Sequence, residues 1–177
     1  MFQSGKTRPE AFRQQQIYAI YRCIDENQEA LLDALVADGK NRDEAYISDL
    51  LTVVKEIAYV QSYLRSWMEP ERVSLDMAMT LCMDSGEIIR EPLGCVLIIG
   101  TWNYPVSTVL GPLIAAISAG NTAVIKLSEV ATHTAEALAK FLPMYLDKEA
   151  YPVVSGAVPE VTGVLFTFHG SLSLHDM

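Results

Sequence analysis

Residues 91–121 read EPLGCVLIIGTWNYPVSTVLGPLIAAISAGN, and the fold is decided there. Cys95–Ile99 is an unbroken apolar run between Gly94 and Gly100. Its length and its lack of alternation predict a strand buried on both faces. Val106–Ala119 is apolar at helical length and stops at Gly120, a residue suited to a left-handed helix end. Between strand and helix stand Thr101-Trp102-Asn103-Tyr104-Pro105. Pro105 fits the first turn of the helix, where no backbone donor is lost. The indole, the carboxamide and the phenol need another explanation.

The same alternation continues downstream. Thr122–Lys126 reads as a second short buried strand. Thr132–Leu146 reads as a helix that Pro143 kinks or ends early. Val153-Val154, before Ser155-Gly156, reads as a third strand. The order β-α-β-α-β predicts an α/β fold with parallel strands joined by right-handed helical crossovers. Upstream, Glu10–Asp38 carries a helical stripe through Ile17, Tyr21, Ile24, Leu31 or Leu32, and Leu35, with Gly39 as its terminal cap. Asn41–Met68 repeats the signal through Ile47, Leu50/Leu51, Val54, Ile57/Ala58, Gln61 and Leu64. Asp43 is its expected N-cap, and Pro70 stops it. Val73, Leu75, Met77 and Met79 alternate as a half-exposed strand would, Asp84-Ser85-Gly86 signals a turn, and Glu87–Arg90 completes a hairpin arm. Val161–Met177, broken by Gly163 and Gly170, has no assignable period.

Half of the 177 residues are hydrophobic, so the chain can bury a sizeable core. A net charge of -9 leaves no basic stripe to neutralise phosphates, which argues against a nucleic-acid partner. The three cysteines, Cys23, Cys82 and Cys95, are odd in number and lack metal-like spacing; a reducing compartment is the default expectation. The opening MFQSGKTRPEAFRQQQ has no apolar signal stretch. The Gly94–Gly100 run is far short of the about 20 residues a membrane helix needs, and Gly120-Asn121 interrupts Gly111–Ile125. A soluble, cytoplasmic chain with no direct membrane segment is expected.

In parallel α/β sheets ligands bind beyond the carboxyl ends of the strands. Two junctions therefore matter, Gly100–Pro105 and Lys126–Glu129. At the first, the Asn103 amide can donate to a developing oxyanion, an interaction worth about 3–4 kcal/mol in known cases. The plainer reading is a turn residue tying down its own backbone, and composition alone favours it. Trp102 and Tyr104 are more often packing residues than ligand contacts. At the second junction, Lys126 can meet a phosphate or a ribose hydroxyl, and Glu129 can accept from a ribose diol. The plainer pair is a solvated lysine and a glutamate near a helix N-terminus. No G-x-G-x-x-G follows a strand. Cys95 enters a buried strand, where a small hydrophobe is commoner than a reactive thiolate. His133, His169 and His175 form no recognisable triad or metal set.

The arrangement Glu91-Pro92-Leu93-Gly94, apolar strand, Gly100-Thr101-Trp102-Asn103-Tyr104-Pro105 resembles the aldehyde dehydrogenase superfamily, most of all its class 3 branch, which handles fatty and aromatic aldehydes. AAISAGNTAVIKLSE (115–129) and FLPMYLDKEAYPVVSGAVPE (141–160) are similar to the same branch. ADGKNRDEAYISDL (37–50) and AYVQSYLRSW (58–67) match more loosely. The resemblance spans residues 10–160. It implies one incomplete cofactor-binding domain: N-terminal helices and arm over 10–90, a partial Rossmann-like βαβαβ sheet over 91–160, and a divergent tail over 161–177. It implies NAD- or NADP-dependent oxidation of an aldehyde to an acid. In that chemistry a cysteine attacks the aldehyde, hydride leaves to the nicotinamide, and water hydrolyses the thioester with a glutamate as base.

Carried over, Asn103 becomes the side-chain oxyanion donor, Lys126 and Glu129 become adenosine-ribose contacts, and Trp102 lies near the cofactor through its backbone. Tyr59, by its place before Trp67, matches a residue lining the aldehyde pocket. The family also implies a homodimer, and in some relatives membrane association through C-terminal segments. Two departures stand out. Leu127 occupies the place of a usual proline, which is expected to loosen the turn after the strand. After Glu160 the match stops, and VTGVLFTFHGSLSLHDM follows. The nucleophile, the base and the dimer-building segment then fall outside the chain, so a truncated form, inactive alone, is expected. The alternatives are a nucleotide-binding or regulatory fragment that associates with a full-length relative, and an unstable splice or gene-model product.

Overall fold

The computed structural model describes residues 2–73 and 86–154. The expectations for Leu75, Met77, Met79, Asp84-Ser85, Ser155-Gly156 and the tail lie outside the described residues. The helix expected over 10–38 forms in two pieces, α1 (Glu10–Glu26) and α2 (Gln28–Ala37). The break is at Asn27, whose Nδ2 donates to the Cys23 carbonyl at 2.9 Å and to the Tyr145 hydroxyl at 2.9 Å. A side-chain amide that competes with the helix ladder explains it. The apolar stripe runs on across the break, so periodicity alone could not show it. Gly39 ends α2 as expected. At φ 93° it lets its own N–H reach Val36 O at 2.9 Å, and the Lys40 N–H reach Leu35 O at 3.1 Å.

The next cap is Asn41 rather than Asp43. The Asn41 side-chain oxygen accepts from the backbone N–H of Asp43 at 3.0 Å and of Glu44 at 3.2 Å, reaching two orphan donors that Asp43 sits too late to serve. A short helix α3 (Arg42–Ala45) then passes through a π-helical turn, Tyr46–Leu51, into α4 (Thr52–Met68). The wide turn rotates the buried stripe. Ala45, Asp49, Leu50, Val53, Ile57, Val60 and Leu64 are inside, while Ile47 and Gln61 are exposed. Glu69 is extended ahead of Pro70, where the helix was expected to stop.

The arm is an antiparallel pair, β1 (Glu71–Val73) with β2 (Gly86–Ile88), one residue earlier than the second strand was expected. The predicted β-α-β-α-β order follows: β3 (Cys95–Ile99), α5 (Ser107–Ser118), β4 (Thr122–Lys126), α6 (Thr132–Tyr145) and β5 (Val153–Val154). The sheet order is β3-β4-β5, all parallel, with Cys95 beside Thr122 and Ile99 beside Lys126. Pro143 does not end α6 early. It falls in the last turn, and the Leu146 N–H still closes on Leu142 O at 3.0 Å.

Neighbours in register share a face, so the sheet has two distinguishable sides. On one, Ile98, Ala123 and Ile125 enter the core, and Val96 and Val153 pack against it beneath α5 and α6. On the other, Cys95 is exposed, Leu97 and Val124 are half-buried and Ile99 is 49 % exposed. The expectation that β3 is buried on both faces is therefore corrected. Both crossover helices serve one side, and β3 pairs only with β4 among the described strands. Helices α1 and α4 pack on α5 from outside, and α1 and α2 pack on α6. The buried residues of all these elements form one continuous cluster.

Candidate active site

The two junctions singled out in the sequence come together. Ile99–Asn103, Lys126 and Ser128–Val130 line a cleft of about 440 Å³ beyond the carboxyl ends of β3 and β4. The Gly100 N–H donates to Lys126 O at 2.8 Å and joins the two junctions at their root. A Cβ at Gly100 would stand 2.5 Å from Cγ2 of Val109 on α5, so close helix–strand approach requires glycine at this position.

Asn103 is exposed, and its carboxamide is oriented locally. The Thr101 hydroxyl donates to Asn103 Oδ1 at 2.6 Å. The Thr101 N–H donates to Thr108 Oγ1 at 3.2 Å, and that hydroxyl donates to Tyr104 O at 2.8 Å. With its oxygen engaged, Asn103 has its NH2 left to offer. Beneath the turn lies Asp49, fully buried. Its Oδ1 accepts from the Val106 N–H at 3.1 Å and the Ser107 N–H at 3.0 Å, and its Oδ2 accepts from Lys40 Nζ at 2.8 Å. The Lys40 ammonium also stands 4.1 Å from the centre of the Tyr104 ring.

At the second junction Lys126 is 6 % exposed and pairs with the Glu129 carboxylate. The hydrogen bond from Lys126 holds the Glu129 carboxyl below the usual carboxylate range. Leu127 does not loosen the turn. Its side chain is buried, and its N–H donates to Val154 O at 3.3 Å, a ladder bond that proline could not make. Asp38, from the end of α2, accepts from the His133 N–H at 3.1 Å and the Thr134 N–H at 2.8 Å. Its Oδ1 also lies 2.9 Å from His133 Nδ1. Burial pushes the Asp38 carboxyl up, but the bonds from Thr134 and His133 outweigh it and hold the group below its ordinary value. Both crossover helices thus begin under a carboxylate, where an anionic ligand would meet negative charge instead of free N–H groups.

Trp102, Asn103, Lys126 and Glu129 share this cleft; Tyr59 does not. Tyr59 lines a second cavity of about 410 Å³ with Trp67, Glu56 and Ala119, near the C-terminal end of α5. Asn103 precedes the other end of that helix. Burial raises the Glu56 carboxyl in this second cavity. Sequence reasoning missed Thr101, Asp49 and Lys40. Helical periodicity put Asp49 beside the apolar stripe rather than in it, so the sequence carried no signal for its burial. Burial pushes the Cys23 thiol up to about 12. Cys95 is at the start of β3, the end away from the cleft. Among the described residues no His, Cys, Asp and Glu cluster could hold a metal, and no helix is long and apolar enough to cross a membrane.

Comparison with known proteins identifies the family and the fold. The dog (Canis lupus familiaris) protein named aldehyde dehydrogenase, dimeric NADP-preferring, is 46 % identical over 165 residues, 93 % of this chain and 36 % of its own length. The Macaca fascicularis aldehyde dehydrogenase family 3 member A2 is 42 % identical over 93 % of this chain and 34 % of its own length. The chain thus spans about a third of the length of these curated relatives. Among solved structures, the substrate-bound state of Staphylococcus aureus AldH superposes with a TM-score of 0.88 at 32 % identity, covering 93 % of this chain and 36 % of that one. Betaine aldehyde dehydrogenase from the same organism, with NAD+, shares the fold at a TM-score of 0.76 and 24 % identity, over 93 % of this chain and 32 % of that one. The Rossmann-like α/β architecture is common to them. The aldehyde dehydrogenase family model matches residues 2–171, which corrects the expectation that the resemblance stops after Glu160, and with Asn103, Lys126 and Glu129 gathered at the strand ends of that fold, the chain belongs to the aldehyde dehydrogenase family.

Proposed function

We propose that this chain carries the oxyanion-donor and ribose-binding part of an NAD(P)-dependent oxidation of fatty or aromatic aldehydes to acids. The convergence of Trp102, Asn103, Lys126 and Glu129 on one cleft supports this reading more than any other observation. An ammonium and a carboxylate side by side offer a donor and an acceptor to a vicinal diol, so Lys126 and Glu129 fit an adenosine ribose. A bound nicotinamide cofactor supplies the hydride acceptor. The Asn103 NH2, oriented by Thr101, donates to the oxygen that gains charge when the aldehyde carbon is attacked. Trp102 borders the cofactor side of the same cleft.

The attacking thiolate and the hydrolytic base belong to other parts of the complete enzyme, and the dimer named for the dog relative is the expected assembly. Neither described cysteine is placed to attack an aldehyde at the cleft. Cys23 is buried with a raised thiol, and Cys95 stands at the far end of its strand. The 177-residue chain alone should therefore bind nucleotide without turnover. Incubation with NAD or NADP and benzaldehyde or hexanal should give no reduced nicotinamide, and steady turnover would refute this division of labour. Calorimetry should show binding of NAD, NADP or both, weakened about tenfold by Lys126→Met or Glu129→Gln, the loss of one charge-assisted hydrogen bond. Absence of heat with both nucleotides would remove the ribose assignment.

A further inference from the structure

Asn103 is exposed. Its single hydrogen bond among the described residues comes from Thr101, itself exposed on the same turn. An exposed turn loses substantial conformational entropy when fixed, so something beneath it must hold its backbone. The first N–H groups of a helix normally lack partners within the helix. Here two of them, on Val106 and Ser107, are taken by one carboxylate oxygen from 57 and 58 residues away. That oxygen belongs to Asp49, and the π-helical turn Tyr46–Leu51 is what swings Asp49 into the interior. Lys40 closes the arrangement. It follows the α2 cap glycine, pairs with Asp49 Oδ2, and places its ammonium over the ring of Tyr104, the residue next to Asn103.

We infer that Asp49, neutralised by Lys40, is the positioning residue for the Asn103 donor. It anchors the downstream end of the turn 101–106, while Thr108 anchors the upstream end through Thr101. Its significance for catalysis rests on the oxyanion role proposed for Asn103; the anchoring itself does not. Placement of a donor within a fraction of an ångström decides how much it contributes to a developing charge. A change at Asp49 would then act on the oxyanion donor while leaving Lys126 and Glu129 in place, because that pair sits at the end of β4 and in the junction before α6, whose start is capped separately by Asp38.

The test uses the full 177-residue chain without nucleotide, so its result is independent of whether NAD or NADP binds. Two double variants, D49N/K40M and D49A/K40M, both remove the charge pair. They differ in whether an acceptor remains for the Val106 and Ser107 N–H groups. Nitrogen-15 NMR follows the Asn103 side-chain NH2, the Trp102 indole N–H and backbone amide exchange. In the unaltered chain the Val106 and Ser107 amides should exchange about 100-fold more slowly than free amides. D49N/K40M should retain that protection and the Asn103 signal. D49A/K40M should lose about tenfold in protection, the size of one hydrogen bond, with Asn103 moving to the position of a free carboxamide. Lys126 and Leu127 signals should stay unchanged in both. An unchanged Asn103 signal in D49A/K40M would overturn the inference. So would equal shifts at Asn103, Lys126 and Leu127, the mark of a general packing role. If D49A/K40M does not fold, the unaltered chain decides, since free exchange at Val106 and Ser107 would rule the anchor out.

Discussion

Two junctions leave the same edge of the sheet, residues 100–106 between β3 and α5 and residues 127–131 between β4 and α6. Each following helix starts under an aspartate supplied by the N-terminal helices, Asp49 for α5 and Asp38 for α6. Beyond that they diverge. The first junction has its anchor fully buried and ion-paired with Lys40, and its upper residues, Thr101 to Asn103, stand in solvent. The second buries Leu127, Ser128 and Ala131, and the exposed Glu129 is closed on the buried Lys126. An open turn needs a rigid anchor below it if it is to present a donor. A packed turn holds itself and can carry a pair that opens to a ligand.

If that contrast is correct, the two aspartates should differ most in what their removal costs. Asp49→Ala leaves Lys40 without its carboxylate and two helix N–H groups without an acceptor, and breaking such a buried pair costs about 3–5 kcal/mol. Asp38→Ala removes a helix cap that carries no buried ion pair, a loss of about 1 kcal/mol. Denaturant unfolding of both variants reads the difference directly, and equal losses would dissolve the distinction. Gly100→Ala comes next in size. Its Cβ would press on Val109 Cγ2, and overpacking of this kind costs about 1–3 kcal/mol. The junction that follows Lys126 contains no glycine. A Gly100→Ala chain as stable as the parent would show that α5 can retreat from β3, and with it the turn that carries Asn103.

Much of this plan was legible in the sequence because it rests on short-range signals. The apolar run at 95–99 is bounded by Gly94 and Gly100, that at 122–126 follows Gly120-Asn121, and both strands appear where expected. Gly39 and Gly120 announced their helix ends, and both adopt the positive φ that glycine permits. What periodicity could not reveal are events decided across the fold. Asn27 breaks the first helix by reaching Tyr145, 118 residues away. The π turn displaces the stripe by a fraction of a helical turn, which hid Asp49 on what read as the flank of a helix. Strand ends drew attention to the two junctions, the family resemblance assigned Asn103, Trp102, Lys126 and Glu129 their roles there, and the four do share a cleft. Tyr59 was placed by sequence neighbourhood with Trp67 alone, and helical spacing puts it with Tyr63 and Trp67 on a different surface.

The smallest expected effect tests the weaker junction through pH. The Asp38 carboxyl titrates below its ordinary value of 3.8 in the folded chain because His133 and Thr134 donate to its anion. A depressed folded value means that the anion stabilises the fold. That contribution is complete above the unfolded value and is lost as pH falls through the folded one. The contribution of the Asp38 carboxylate to the stability difference between the parent and Asp38→Asn should therefore be complete at about pH 5, then shrink as the pH drops past 3.8. Glu129, also depressed, is present in both chains and cancels in the difference. A difference that stays constant to low pH would mean that Asp38 acts only through its geometry, as an amide would. A difference that grows would mean that the carboxylate is strained where it lies, and the second helix start would then need another explanation for its hold on α6.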